Sequence, residues 1–159
     1  MKKIIFLTAL MVPFIFGITA VHSQVYTGGN LGFHYDNKGY YIDVAPVIGY
    51  RYARLNLGLS PFYSYSEYKD KDNQYSYGGR IYSQLTIYRN VFAHAEFEAR
   101  NIEKSEDRKW IVGLPVGGGY RYKIGPNAQA YGAVLYDVLL DDDSPAENPI
   151  IRGGITYNF

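Results

Sequence analysis

The chain has 159 residues, no cysteine, 18 tyrosines and a formal net charge of +1. That length suits a leader and one domain, the missing cysteines exclude a disulfide-stapled secreted module, and the balanced charge excludes the strongly basic footprint of a nucleic-acid-binding protein. No apolar run beyond the N-terminal one approaches the ~20 residues that a membrane-spanning helix requires.

Lys2 and Lys3, the apolar stretch 4–18 and Val21-His22-Ser23 read as the charged region, hydrophobic region and cleavage site of a secretory signal peptide at 1–23. The residue after the cut is Gln24 rather than cysteine, so no lipid-anchored terminus is expected. Residues 24–159 form the expected mature domain, whose charge without Lys2 and Lys3 is near −1.

Eight alternating segments follow. The first ends at Gly32-Phe33-His34-Tyr35, and Asp36-Asn37-Lys38-Gly39 reads as a tight hairpin. The second, about 40–50, sets Ile42, Val44, Ile48 and Tyr50 against Tyr41, Asp43, Ala45 and Val47. The third, 55–65, sets Leu55, Leu57 and Leu59 against Asn56, Gly58 and Ser60, with 67–74 as a polar loop. The fourth, 75–88, sets Ile81, Leu85 and Ile87 against Arg80, Tyr82, Gln84 and Thr86, and Arg89-Asn90 turns the chain. The fifth opposes Val91, Ala93, Ala95, Phe97 and Ala99 to Phe92, His94, Glu96, Glu98 and Arg100. After a charged loop at 103–109, the sixth opposes Trp110, Val112, Leu114, Val116 and Tyr120 to Gly113, Gly117, Gly119 and Arg121. Residues 123–127 form a short turn. The seventh sets Ala130, Val134, Tyr136 and Val138 against Gln129, Tyr131 and Asp137. A last loop spans 141–149, and the eighth segment sets Ile151, Gly153, Ile155, Tyr157 and Phe159 against Arg152, Gly154, Thr156 and Asn158. Pro46 and Pro115 fall inside segments, where each removes a ladder donor, so bulges or locally broken pairing are expected there.

A period of two places successive side chains on opposite faces of a sheet. One face of all eight segments carries no charge. The other carries Asp43, Glu96, Glu98 and Asp137 against Arg80, Arg100, Arg121 and Arg152, four of each sign. The short turns carry Arg51, Arg54, Arg89 and Lys123 and no acid. This division predicts an all-β, eight-stranded antiparallel up-and-down transmembrane barrel: apolar outside, a lumen filled by paired charge, short turns at one mouth and longer polar loops at the other. Tyr50, Tyr88, Tyr120, Tyr122, Tyr157 and Phe159 then cluster at the short-turn end, and Phe33, Tyr35, Tyr63, Tyr65, Tyr75, Tyr77 and Trp110 at the other, as aromatic girdles do. In hydrocarbon no sheet edge is tolerated, so the first and last strands are expected to pair.

The leader, the eight segments, the alternating short and long connections and the ending Ile155-Thr156-Tyr157-Asn158-Phe159 together resemble the small eight-stranded outer-membrane barrels of Gram-negative bacteria, of the OmpX and OmpA-barrel type. The resemblance implies an outer-membrane protein in contact with outer-membrane lipid, with periplasmic termini and short turns and with loops outside. It also implies a monomer, and an assembly signal in Ile155, Tyr157 and Phe159 read by the barrel-assembly machinery. Nothing like the peptidoglycan-binding domain of the OmpA type follows Phe159, so that anchoring role is not expected.

The charged face is read as a structural network of Asp43, Arg80, Glu96, Glu98, Arg100, Arg121, Asp137 and Arg152 filling a tube too narrow for an open pore; a proton or ion path along it is the alternative. No catalytic, metal or cofactor residues are assigned. A lipid-modifying enzyme, deacylase- or acyltransferase-like, would need a nucleophile and base reachable from lipid. His34 and His94 are phased to the lumen, though His94 beside Glu96 has the look of a base–carboxylate pair, and Ser83 on the apolar face has no histidine in phase. Asp70-Lys71-Asp72 lacks the glycine and glutamate of a calcium loop, since Tyr75 and Ile81 stand in those places. Asp141-Asp142-Asp143 with Glu147 reads as a solvated loop, with a divalent cation as the alternative. Gly117-Gly118-Gly119 precedes no helix and is no phosphate loop. The rival fold is a soluble lipocalin-like carrier, in which the charged face meets water and the leucines line a pocket.

Overall fold

The computed structural model describes residues 24–36, 39–68, 71–104, 107–139, 141–142, 144–145 and 147–159; the signal peptide expected at 1–23 lies outside them. Nine extended segments follow in order: β1 (Gln24–Asp36), β2 (Gly39–Tyr52), β3 (Leu55–Tyr68), β4 (Lys71–Tyr88), β5 (Val91–Lys104), β6 (Asp107–Gly113), β7 (Pro115–Lys123), β8 (Ala128–Asp137) and β9 (Ile150–Asn158). Successive strands pair antiparallel, except that β6 and β7 each pair with β5, and β1 also pairs with β9, from Tyr26↔Asn158 to Phe33↔Ile151. The sheet therefore closes on itself. Segments β6 and β7 both lie against β5 and are halves of one strand, so the barrel has eight strands.

The two prolines interrupt the ladders without shifting them. Between Val44↔Tyr63 and Ile48↔Leu59 the β2–β3 pairing lapses around Pro46, and in that unchanged register Pro46 faces Pro61. Between Glu98↔Gly113 and Ala95↔Val116 the pairing along β5 lapses at Leu114 and Pro115. A proline supplies no N–H to a ladder. The side chain of Asp137 takes over part of the second gap, accepting the Leu114 amide at 2.8 Å. True register shifts lie elsewhere, at Ser66/Tyr68 and Thr86/Tyr88.

Two stretches expected as loops are largely strand. At 67–74, β3 continues to Tyr68 and β4 starts at Lys71, and these two residues pair; at 103–109, β5 reaches Lys104 and pairs it with Asp107 of β6. Their sequences are polar on both faces, so the alternation that reveals a half-buried strand is missing. The two extended hairpins touch: the Gln74 side-chain amide donates to the Glu103 carbonyl.

Alternation sets inside against outside along the whole circuit. Leu31, Val44, Ile48, Leu59, Ile81 and Val134 point outward and are more than half exposed, whereas Asp43, Arg80, Glu96 and Arg152 face inward and are at most 2% exposed. This orientation overturns the lipocalin-like alternative, which needs the reverse. Exposed rings gather at both ends. Tyr157 and Phe159 meet at 5.6 Å at the short-turn end, while Tyr63, Tyr65 and Tyr75 pack together and Tyr77 meets Trp110 at 6.3 Å at the other.

Candidate functional site in the lumen

Six of the inward charges are joined at mid-barrel. Arg80 donates to both oxygens of Asp43, at 3.2 and 2.8 Å, and from Nε to Glu98 at 2.8 Å. Arg152 bridges Asp43 at 2.6 Å and Glu96 at 3.0 Å. Arg100 closes the other side, reaching Glu98 at 2.5 Å. Three arginines and three carboxylates thus share one compartment, each cation meeting at least one anion. Charge-assisted forks of this kind offset part of the cost of taking ions out of water.

Strand positions explain the meeting. Asp43, on β2, and Arg152, on β9, are both register partners of Gly32 on the strand between them. A Cβ on Gly32 would collide with Arg152 Nη1 and Asp43 Oδ2. Across the barrel, Arg80 is the register partner of Glu98, and Tyr82 of Glu96.

Arg121 and Asp137, which share the inward phase, stand apart from this network because they lie at other heights. Arg121 sits toward the short turns and donates to Gln84 Oε1 at 2.7 Å. Asp137 ends β8 near the far mouth and accepts backbone amides of Leu114 and Leu139, the latter at 3.0 Å. Face can be read from a period of two, but height along the axis depends on strand stagger, which it does not encode.

Neutral groups extend the network in both directions. Tyr41 donates to Asp43 at 2.8 Å and accepts from Arg100 at 2.6 Å; Ser64 and Ser76, 2.6 Å apart, lie beyond. On the opposite side, Gln84 Nε2 meets His94 Nδ1 at 3.1 Å, while His94 Nε2 meets Glu96 at 2.7 Å. With the amide donating to Nδ1, the ring holds its proton on Nε2 and donates to the carboxylate. Both ring nitrogens of His94 are thereby engaged, and the residue is buried.

Aromatic rings fill what the charges leave. Phe62 lies under the guanidinium groups of Arg80 and Arg100, with centroids at 4.2 and 4.8 Å, an arrangement suited to cation–π attraction. Tyr82 stacks on His94 at 5.5 Å and shares a 2.9 Å hydrogen bond with Tyr26. Tyr26, Tyr41, Tyr82 and Tyr131 are thus lumen residues rather than girdle residues. For Tyr41, Tyr82 and Tyr131 this is the face that the alternation assigns to them.

Outward on the last strand, Ile155, Tyr157 and Phe159 are all exposed. The Phe159 amide donates to the Val25 carbonyl at 3.1 Å, tying the end of the chain to its neighbour β1. Of the acidic stretch 141–147, Asp143 lies outside the described residues, and among the described residues no three His, Asp or Glu gather as metal ligands.

Neisserial surface protein A matches this architecture with a TM-score of 0.50 at 16% identity, over 89% of this chain and 100% of that one. The chain has the fold of the small outer-membrane β-barrels. Designed transmembrane β-barrels align with a TM-score of 0.49 at 15% identity, over 89% of this chain and all of theirs. The N-terminal barrel domain of Pseudomonas aeruginosa OprF aligns with 0.48 at 16% identity, over 87% of this chain and all of that one. No family model and no curated protein matches the sequence.

Proposed function

We infer that this chain is an integral outer-membrane protein whose barrel is closed to solute flow and carries no catalytic centre, its role being structural or a surface contact. One observation carries the reading: a sealed compartment of paired charge inside a wall whose outer face is apolar between two aromatic girdles. Water has no use for such a wall, and a bilayer requires it. The short turns, Gln24 and Phe159 share one end of the barrel, and we assign that end to the periplasm. At the other end the described residues of the β3–β4 and β5–β6 hairpins, with those of 141–149, form the surface available to a partner outside the cell. Outer-membrane lipid surrounds the wall, and the barrel-assembly machinery reads the terminal strand through Ile155, Tyr157 and Phe159.

The lumen network serves as a plug and as an internal brace. His34 and His94 are both turned inward and buried, away from lipid, which speaks against lipid-modifying chemistry. Planar-bilayer recording tests the plug: the inserted protein should give no stable ohmic conductance, and a steady open channel would overturn this reading. A mass spectrum of outer-membrane lipids with and without the protein tests the second half. Unchanged acyl-chain masses are expected, and a discrete mass shift would make the protein an enzyme.

A further inference from the structure

The arginines at the short-turn mouth are treated differently from those at mid-barrel. Arg51, Arg89, Arg121 and Lys123 line a cavity of about 330 Å³ together with Asn56 and Gln129, and no carboxylate lines it. Arg80, Arg100 and Arg152 each meet an acid. By contrast, Arg51 donates to Asn56 at 2.9 Å and to Gln129 at 3.2 Å, and Arg121 to Gln84 at 2.7 Å and to Thr86 at 3.4 Å. All four acceptors are neutral. Each guanidinium spends two of its five N–H donors this way. The rings of Tyr26 and Phe92 lie against them, with centroids at 5.7 and 4.8 Å, and help hold their planes.

Four cations around one cavity repel each other, and two of them are partly withdrawn from water without a counter-charge. A mouth walled by low-dielectric protein and lined with one sign of charge concentrates ions of the other sign. The planar fork of arginine matches two oxygens of one anion, which a halide cannot exploit, and a phosphate brings a higher charge and more acceptor oxygens to the four cations than a carboxylate does. We propose that this vestibule binds a phosphate-bearing anion, whether free or as a lipid headgroup. Arg51 and Arg121 form its floor, and Arg89 on the β4–β5 turn and Lys123 at the end of β7 form its rim.

The test uses the full mature protein in nanodiscs of zwitterionic lipid, titrated with inorganic phosphate while backbone amide NMR shifts of residues 53–56 and 86–90 are followed. Saturable shifts are expected with phosphate and not with acetate or chloride at matched ionic strength. The double variant Arg51→Gln and Arg121→Gln should weaken the apparent Kd about tenfold or more. If that variant does not fold, Arg89→Gln on the β4–β5 turn with Lys123→Gln at the exposed end of β7 should still weaken binding about threefold. Repeating the titration with phosphatidylglycerol in the disc separates the sources: competition with phosphate identifies a lipid headgroup, and its absence identifies a soluble ligand. Shifts that do not saturate, that acetate reproduces equally, or that neither variant alters would overturn the site.

Discussion

Asp43 and Arg152 form an ion pair of 2.6 Å across a strand that lies between them, passing over Gly32, the residue of that strand with no side chain to block the way. The pair spans the seam where the first and last strands of the barrel meet. Gly32→Ala should push the two groups apart while leaving their identities intact. We expect a loss of about 2 kcal/mol or more, within the range for disturbing a buried charge pair. The urea midpoint of the protein folded in detergent measures it, and an unchanged midpoint would show that the seam does not depend on this contact.

Arg152→Leu removes the cation outright and leaves Glu96 and Asp43 short of one partner each. Arg80 remains beside both, at 2.8 Å from Asp43 and 3.6 Å from Glu96, so the compartment keeps some compensation. A destabilisation of about 3 kcal/mol is expected, at the low end for breaking a buried pair. A double-mutant cycle with Asp43→Asn should show coupling, and additive effects would mean that the two residues act independently.

Val134 faces outward from the middle of β8 and is 58% exposed. If that face meets hydrocarbon, Val134→Lys should cost about 2–4 kcal/mol on insertion. The expected outcome is a strong drop in heat-modifiable, membrane-inserted protein. Lysine at Ala133, one residue away on the inner face, would fail for a different reason, by crowding the lumen. Normal insertion of the Val134 variant would reverse the assignment of the faces.

Ala53 opens the turn between β2 and β3 with a φ of 51°, a left-handed backbone that a side chain disfavours. Ala53→Gly should therefore stabilise the barrel by up to about 1 kcal/mol, even though glycine frees the unfolded chain. The shift in urea midpoint checks the sign. Destabilisation would mean that the Cβ contributes more in contact than it costs in strain.

Much of this architecture was legible in the sequence because a membrane wall is an unusually strict reader of alternation. Val91 to Arg100 shows why: five small or apolar residues alternate with two rings, two acids and a base, and the two sets face opposite ways in the structure. The interruption at Pro115 was legible for the same reason, since a missing amide is a property of the residue itself. What escaped depended on neighbours far along the chain. That Pro46 stands opposite Pro61 needs the β2–β3 register, and that Arg121 lies away from the acids needs the stagger of β5 and β7. The extended hairpins escaped because Glu67 and Glu103 sit in segments with no apolar face to announce a strand. The partnership of Gln84 with His94 and Arg121 had no sequence signal beyond a shared phase.

The seam between β1 and β9 has a consequence for the order of events in folding. Phe33 and Ile151 pair across almost the whole length of the domain, so this ladder has the highest loop-closure entropy in the barrel and is the slowest kind of contact to form. Until the two strands meet, Arg152 does not have Asp43 beside it. The growing sheet therefore carries at its open edge an arginine short of one carboxylate up to the moment of closure. The Asp43–Arg152 bond works as a latch: a partly wrapped intermediate gains nothing from it, and the complete barrel gains it all at once.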